Sequence, residues 1–481
     1  MMSINHMHRM NQRRTMLNLR YSVFGMLLML LLVSATVAFA WREWSASRQL
    51  SAALNQAKQS GQAVDDASMA DWFERHTSKD KTATWSEILS LASSDAIRSR
   101  TYRFTNRLSE TEGSEKQSTT LKQGSDEYYR ELGRFLDEVR ALLTLIQTES
   151  HLEKPVWLPI RFDGVNTHAE CVGNSYQVQR LVELQFEMEM HERDTSKAME
   201  SLETMHRCLL AFDWGIMPQY HWNQRTGLYD TISKSLDYDF WSEEQLRGLK
   251  DFLGPIDLAA EWSSMVDADQ ALYAKAFSAD DEQLSGEERA IQGLILWPST
   301  RKQNWDDGRA ASQIGRVGWD SLDEATKTFE KRKRLISQGM SLSYSNFQIR
   351  TQEWYRRLLL VCVDLRIFHK QNGRWPKGLD EVAGPRSMAI DFKSPGGRAF
   401  EYQLVQDERE ANLTSHYSDA TRSQFSKWDQ EYRKEMDDWQ RFHWLQKNWA
   451  TRSYFSVTLS QDVPPKSPKA QSRPGESSND K

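Results

Sequence analysis

The longest apolar stretch of the chain lies near its start, where residues Tyr21–Trp41 (YSVFGMLLMLLLVSATVAFAW) include 21 positions without a charge. A helix needs about 20 apolar residues to cross a hydrocarbon core of about 30 Å. Tyr21 and Trp41 stand at the two ends, where aromatic rings favour the membrane interface. No other segment is as long and as apolar. The pattern therefore predicts one transmembrane helix at residues 21–41.

A cleaved signal peptide is the alternative interpretation of this stretch. Its strongest apolar core, Val23–Val33, has 11 residues, and Ala38-Phe39-Ala40 fits a small-x-small cleavage site before Trp41. Against cleavage, 20 residues precede the stretch, and Ser34–Ala40 remains apolar enough to complete a span. The sequence favours a retained signal anchor, with cleavage after Ala40 left open.

The flanking charges predict the orientation of the span. Four arginines and no acid precede it, at positions Arg9, Arg13, Arg14 and Arg20, against Arg42, Arg48 and Lys58 over a similar distance after it. Basic flanks tend to stay in the cytoplasm. We therefore expect a single-pass protein of the cell membrane, with a cytoplasmic N-terminus and the bulk of the chain extracytoplasmic.

Beyond the span, apolar residues recur at helical spacing. One face runs from Tyr128 to Ile146, and two helical segments, 176–193 and 196–214, form a predicted hairpin. Trp241-Ser242-Glu243-Glu244-Gln245-Leu246 has the pattern of a capping box with flanking apolar residues. The predicted fold class is mainly α: one transmembrane helix, then a large helical domain, with solenoid-like stacking of hairpins as one arrangement, and a small α+β C-terminal element.

Proline placement and composition divide the chain into five predicted segments. They are a basic cytoplasmic tail (1–20), the transmembrane helix (21–41), a helical exported domain (42–350), a C-terminal helical subdomain with a short hairpin or strand element (351–460), and a disordered tail (461–481). Helix breaks are expected at Ser60-Gly61 and Asn372-Gly373, a turn of helix at Leu379–Val382, and a strand at Phe400–Val405. Pro155–Gly173 is expected to be irregular or extended.

Charge and cysteine content limit the classes of partner. The formal net charge is −5 and the N-terminal tail is basic, so the exported part is acidic and nucleic acid is not an expected partner. Three cysteines, Cys171, Cys208 and Cys362, are too few for a disulfide framework. Buried unpaired thiols are favoured, with a bridge between Cys171 and Cys208 as the alternative.

No common catalytic motif occurs, including those of phosphate loops, zinc proteases, redox pairs and nucleophile elbows. No catalytic, cofactor-binding or metal-binding residue is assigned, no cofactor or small-molecule ligand is inferred, and the balance leans away from an enzyme. The histidines, among them His191, His206 and His221, are dispersed and favour structural roles over a metal site. The acids Glu187, Glu189, Glu192 and Asp194 suggest a glycan hydrolase of the envelope as an alternative, although a solvated helix face is favoured.

The remaining hypotheses concern binding surfaces. The basic run Glu330–Arg334 is typical of a solvated helix surface. The 18 tryptophans are dispersed along the chain, which favours roles as large residues of the helical core. We expect the exported domain to act as a binding or scaffolding module for other envelope proteins. The concave side of packed hairpins and the aromatic helix Trp428–His443 are its candidate surfaces.

Two segments near the C-terminus carry a resemblance to known proteins. Arg366–Val382 (RIFHKQNGRWPKGLDEV) followed by Asp391–Leu404 (DFKSPGGRAFEYQL) resembles the end motif of uncharacterised, membrane-anchored bacterial proteins. That resemblance implies an anchored envelope protein and no particular activity. The motif also resembles the globular end of type II secretion pseudopilins, which implies a pseudopilin-like secretion component as a further alternative. The apolar stretch departs from that group, because Leu30 stands where pseudopilins carry a glutamate.

Overall fold

Helices form nearly all the regular structure of the protein. The computed structural model describes residues 3–105, 125–163, 170–212, 218–278, 297–316, 342–382, 400–405, 410–416 and 454–460. The helices are α1 (Ser3–Gln59), α2 (Asp66–His76), α3 (Thr82–Ala92), α4 (Asp95–Thr105), α5 (Asp126–Glu138), α6 (Arg140–Glu149), α7 (Glu170–Glu192), α8 (Thr195–Ala211), α9 (Pro218–Leu236), α10 (Glu243–Leu253), α11 (Leu258–Ser278), α12 (Pro298–Gly315), α13 (Leu342–Asn372) and α14 (Leu379–Val382). Three strands follow, β1 (Glu401–Val405), β2 (Glu410–His416) and β3 (Tyr454–Ser460). The predicted fold class is confirmed.

Local capping determines where several helices begin. At α10 the Ser242 hydroxyl accepts from the Gln245 amide at 3.2 Å, and the Gln245 side chain accepts from the Ser242 amide at 3.0 Å. This is the predicted capping box. Asp65 and Ser68 form the same reciprocal pair at the start of α2. Such caps satisfy amides that the helix itself leaves without acceptors.

Two glycines end helices as predicted. Gly61 follows α1 with φ of +82°, and Gly373 follows α13 with φ of +66°. Both angles lie in the left-handed region, which glycine adopts without a Cβ clash. Gly254, which follows α10, instead has φ of −61° and continues the right-handed backbone.

The predicted face from Tyr128 to Ile146 is buried along its length, but it belongs to two helices. Val139 joins α5 to α6 with φ of −97° and ψ of 9°. The apolar face therefore continues through a break that periodicity alone does not reveal. The hairpin of α7 and α8 is confirmed, with Arg193 at φ of 61° and Asp194 capping α8. However, α7 begins at Glu170 and includes Gly173, which was expected in an irregular segment.

One apolar core includes residues from every helix from α3 through α10, from α13 and from the sheet. Seven tryptophans of this core and of the helices next to it are almost fully buried. They are Trp85, Trp222, Trp241, Trp262, Trp305, Trp354 and Trp375. The sheet is antiparallel in the order β1-β2-β3, with Leu413 opposite Tyr402 on one side and Val457 on the other. Helix α13 crosses the predicted boundary between residues 350 and 351, and buried residues from both sides of it enter this core.

Candidate functional site

A cluster of buried polar side chains surrounds Arg225 on α9. Its side chain is 3% exposed and donates to both carboxylate oxygens of Glu261 on α11, at 2.6 and 2.8 Å. It also donates to Gln352 Oε1 on α13 at 3.2 Å and to His221 Nε2 at 2.6 Å. A forked guanidinium is suited to such a paired carboxylate contact. Arg225 thus connects three helices.

Amides extend this polar centre on either side of Arg225. The Gln352 side chain donates to the carbonyl of Trp222 at 2.9 Å, and the Gln224 side chain donates to Ser175 Oγ on α7 at 2.7 Å. Gln179 on α7 donates in turn to the Gln224 carbonyl. A buried polar group is tolerated when it has a partner. These bonds attach α7 to the same centre as α9, α11 and α13.

The histidines at this centre are neutral at ordinary pH. Burial and the charge of Arg225 lower the pKa of His221 to about 3. Burial and the charges of Arg225 and Arg207 lower the pKa of His206 to about 4. A base with such a pKa is too weak to remove a proton at pH 7. The centre is therefore built as a cross-link between helices, not as a general acid–base pair.

The four acids considered for hydrolysis point to different surroundings. Glu189 is buried and accepts from Ser201 Oγ at 2.6 Å and from Gln185 at 2.8 Å, while burial raises its pKa. Asp194 caps α8 and pairs with Lys197 at 2.8 Å. Glu187 lies near Tyr128, where its negative charge adds to burial in raising the pKa of the Tyr128 hydroxyl, and Glu192 is exposed. The bonds of Glu189 and Asp194 give these two acids structural roles in packing and capping.

Metal and thiol chemistry find little support in the described part of the chain. No group of three or more His, Cys, Asp or Glu side chains with metal-binding geometry occurs among those residues. His191 stacks on Tyr129, with ring centroids 3.5 Å apart. Cys208 and Cys362 are buried free thiols, and burial raises the pKa of Cys208 to about 12. The prediction that Cys208 is a buried unpaired thiol is confirmed. The Cys171 side chain, the basic run 330–334 and the aromatic segment 428–443 lie outside the described residues.

The C-terminal motif residues hold α13 to the elements that follow it. Trp375 is buried, and it lies against the Arg366 guanidinium (5.1 Å) and the His369 ring (4.4 Å). Arg366 also donates to the Leu236 carbonyl at the end of α9. The Tyr402 hydroxyl donates to the Pro376 carbonyl at 2.7 Å. These residues have structural roles in joining the sheet to the helices.

The second polar site lies where α1 leaves the apolar stretch. Glu43 is 8% exposed, and its two carboxylate oxygens accept from the Ser299 amide at 2.9 Å and the Ser299 hydroxyl at 2.7 Å. Ser299 is in the first turn of α12, where amides lack helical acceptors and a carboxylate is favoured. Glu43 is thus a cap supplied by a helix 256 residues away. We call this pair of residues the α1–α12 clamp.

Apolar and aromatic contacts flank the clamp on both sides. On the domain side, Leu50 and Leu54 pack with the buried Trp305 of α12. On the side of the apolar stretch, the rings of Phe39 and Trp297 meet edge to face, with centroids 4.7 Å apart. In the structure Pro298 begins α12, a position that suits proline, but nothing in the sequence indicates the partner of that helix.

The apolar stretch of α1 is exposed where the structure describes its side chains. One N-terminal helix of the described chain is long and apolar enough to cross a membrane. The large side chains from Phe24 to Phe39 are all exposed. No family, no curated protein and no solved structure compared with this chain matches it.

Proposed function

We propose that the protein is a single-span membrane protein of the cell envelope. Its N-terminus lies in the cytoplasm, and its exported helical domain is a binding or scaffolding module for other envelope proteins. The observation that carries the proposal is the exposed apolar segment of α1, from Phe24 to Phe39. A contiguous apolar surface of this size is unfavourable in water and is removed from water by a bilayer.

The continuity of α1 supports a scaffolding role. The helix passes without a break from the apolar stretch to Gln59, and its later part packs against α12 through Leu50, Leu54 and Trp305. Eighteen residues beyond Trp41 extend about 27 Å at 1.5 Å per residue. A stalk packed in this way fixes the orientation of the domain, whereas a flexible linker would let it diffuse around its anchor.

Membrane retention of the full-length chain tests the anchor. After alkaline extraction the protein should stay in the membrane pellet, and protease added outside intact cells should digest its domain. In a variant carrying Leu30→Arg and Val33→Arg, the span should fail, because each arginine near its centre costs about 3 kcal/mol. A matched control is Leu91→Arg, which alters an exposed leucine of α3 and should leave retention unchanged.

Three outcomes would contradict the proposal. If the unaltered protein were extracted by alkali, α1 would not be a span. If the domain were fully protected in intact cells and digested only after lysis, the orientation would be reversed. The scaffolding role itself would fail if chemical cross-linking in native membranes captured no partner of the domain.

A further inference from the structure

We propose that the start of α12, with Trp297 at its tip, lies in the interfacial layer of the same bilayer that α1 crosses. The domain would then touch phospholipid at a second point, far from α1 in sequence. This inference rests on the proposed function, since it requires α1 to be embedded. It adds a surface of the domain, and a partner for that surface, to the anchor.

The depth of Trp297 follows from its contact with α1. Phe39 belongs to the uncharged stretch and lies two residues before Trp41, which is about 3 Å along the helix axis. The Trp297 ring is centred 4.7 Å from the Phe39 ring. A membrane interface placed at Trp41 therefore passes within a few ångströms of Trp297. The indole of Trp297 cannot leave that layer while it keeps this contact.

The distribution of exposed tryptophans points to the same layer. Among the residues that the structure describes, three tryptophans have about half or more of their surface exposed: Trp41 (67%), Trp44 (47%) and Trp297 (49%). All three lie around the exit of α1, and Trp41 and Trp44 contact each other at 5.1 Å. Tryptophan is enriched at the membrane interface because its ring is apolar and its N–H is polar. The grouping has the character of an interfacial aromatic belt.

Charge placement agrees with a phospholipid partner at this level. Arg42 is the first charge after the stretch, with a side chain 68% exposed, and it also donates to Ser299 Oγ at 3.3 Å. The Arg48 guanidinium lies 4.1 Å from the Trp44 ring centre. Long basic side chains next to a span extend toward headgroup phosphates. The first basic side chains thus lie at the same level of α1 as the exposed tryptophans, where a bilayer presents headgroup phosphates.

The α1–α12 clamp holds Trp297 at this depth. Ser299 is two residues from Trp297, and both of its bonds to Glu43 are at ordinary hydrogen-bond distances. Glu43 itself is almost fully buried, so the clamp is shielded from competing water. If the clamp is opened, α12 loses its attachment nearest to the membrane while α1 remains embedded.

Photo-crosslinking of the full-length chain in phosphatidylcholine vesicles tests the inference. p-Benzoylphenylalanine would replace Trp297, Trp41 or Tyr102 in separate variants, and lipid adducts would be measured by peptide mass spectrometry. All three positions are exposed aromatics, so folding should tolerate the change. Tyr102 is the control, on α4, which packs on α3 and α7. We expect adduct yields at 297 within about threefold of those at 41, and at least tenfold lower at 102.

The outcomes separate this inference from the proposed function. Adducts at 41 without adducts at 297 would refute the second membrane contact and leave the anchor intact. Adducts at neither position would refute the anchor as well. A cross-link from 297 to protein instead of lipid, or equal yields at 297 and 102, would also overturn the inference. Adding Glu43→Ala should lower the yield at 297 at least threefold and leave that at 41 unchanged; equal yields with and without this change would refute the role of the clamp.

Discussion

Replacing Arg225 by methionine removes the side chain that donates most of the hydrogen bonds in the polar centre. The substitution keeps an unbranched side chain of similar length but removes the charge and all donors. It leaves the Glu261 carboxylate without its paired partner, and it removes a donor from Gln352 Oε1 and from His221 Nε2. The three helices α9, α11 and α13 lose their common attachment.

The expected loss of stability follows from burial. Removing one partner of a fully buried ion pair costs about 3–5 kcal/mol, because the other charge is left unpaired. Here the Arg225 side chain is 3% exposed but that of Glu261 is 30% exposed, so water can solvate part of the remaining carboxylate. That solvation lowers the expected term to about 2 kcal/mol, and the lost bond to Gln352 adds about 1 kcal/mol. We therefore expect Arg225→Met to lower the free energy of unfolding by about 3 kcal/mol.

Urea unfolding of the full-length protein in detergent micelles, followed by circular dichroism, would measure this loss. A double-mutant cycle with Glu261→Gln removes the stranded charge, so the double variant should be more stable than the sum of the two single losses implies. The matched control is Arg247→Met, since Arg247 pairs with Glu243 on an exposed helix face and its loss should cost about 0.5 kcal/mol or less. A loss below about 1 kcal/mol for Arg225→Met, or additive losses in the cycle, would refute the reasoning.

Three further predictions concern local features. Ser242→Ala should destabilise the protein by about 1 kcal/mol in the same urea experiment, because α10 loses its cap. Gly373→Ala should destabilise by about 1 kcal/mol, since its φ is +66°, whereas Gly248→Ala, in the exposed middle of α10 with open space around a Cβ, should stabilise by about 0.5–1 kcal/mol. Equal effects of the two alanines would contradict the assignment of backbone conformation. His206 has a folded pKa of about 4 against an ordinary value of 6.5, so the unfolded chain binds more protons between these values and stability falls as pH falls through this range. Relative to His206→Asn, unfolding between pH 7 and pH 4 should show an acid-dependent loss of about 3 kcal/mol, and parallel curves would refute the shift.

The features that the sequence predicts correctly depend on residues close together in the chain. The box of Ser242 and Gln245 and the helix ends at Gly61 and Gly373 need only a few consecutive residues. Helical spacing likewise identifies the buried face that begins at Tyr128, because its members lie on one side of α5 and then on one side of α6. Such signals are local, so a single sequence is enough to detect them.

The features that the sequence does not predict depend on which elements meet. Arg225 and Glu261 are ordinary charged residues on separate helices, and nothing in their spacing indicates that one guanidinium will be buried against the other helix. Glu43 and Ser299 are 256 residues apart, and strands β2 and β3 pair across a long intervening segment. Long-range pairing is set by packing of whole faces, and many pairings are compatible with the same local pattern.

The α1–α12 clamp also bears on whether the apolar stretch is retained or cleaved after Ala40. Residues 38–43 lie within unbroken helix, and Phe39 contacts Trp297, so a protease would have to unwind this segment and break that contact. Backbone that is hydrogen-bonded within a helix is a poor substrate compared with an exposed loop. Cleavage would also place Glu43 at the third residue of a new, charged N-terminus, where helix ends fray and the clamp would weaken. We therefore expect the N-terminal peptide of the membrane-bound protein, measured by mass spectrometry, to precede Tyr21. A mature chain beginning at Trp41 would show instead that α12 meets the end of a released helix, and the case for a membrane contact at Trp297 would fall with it.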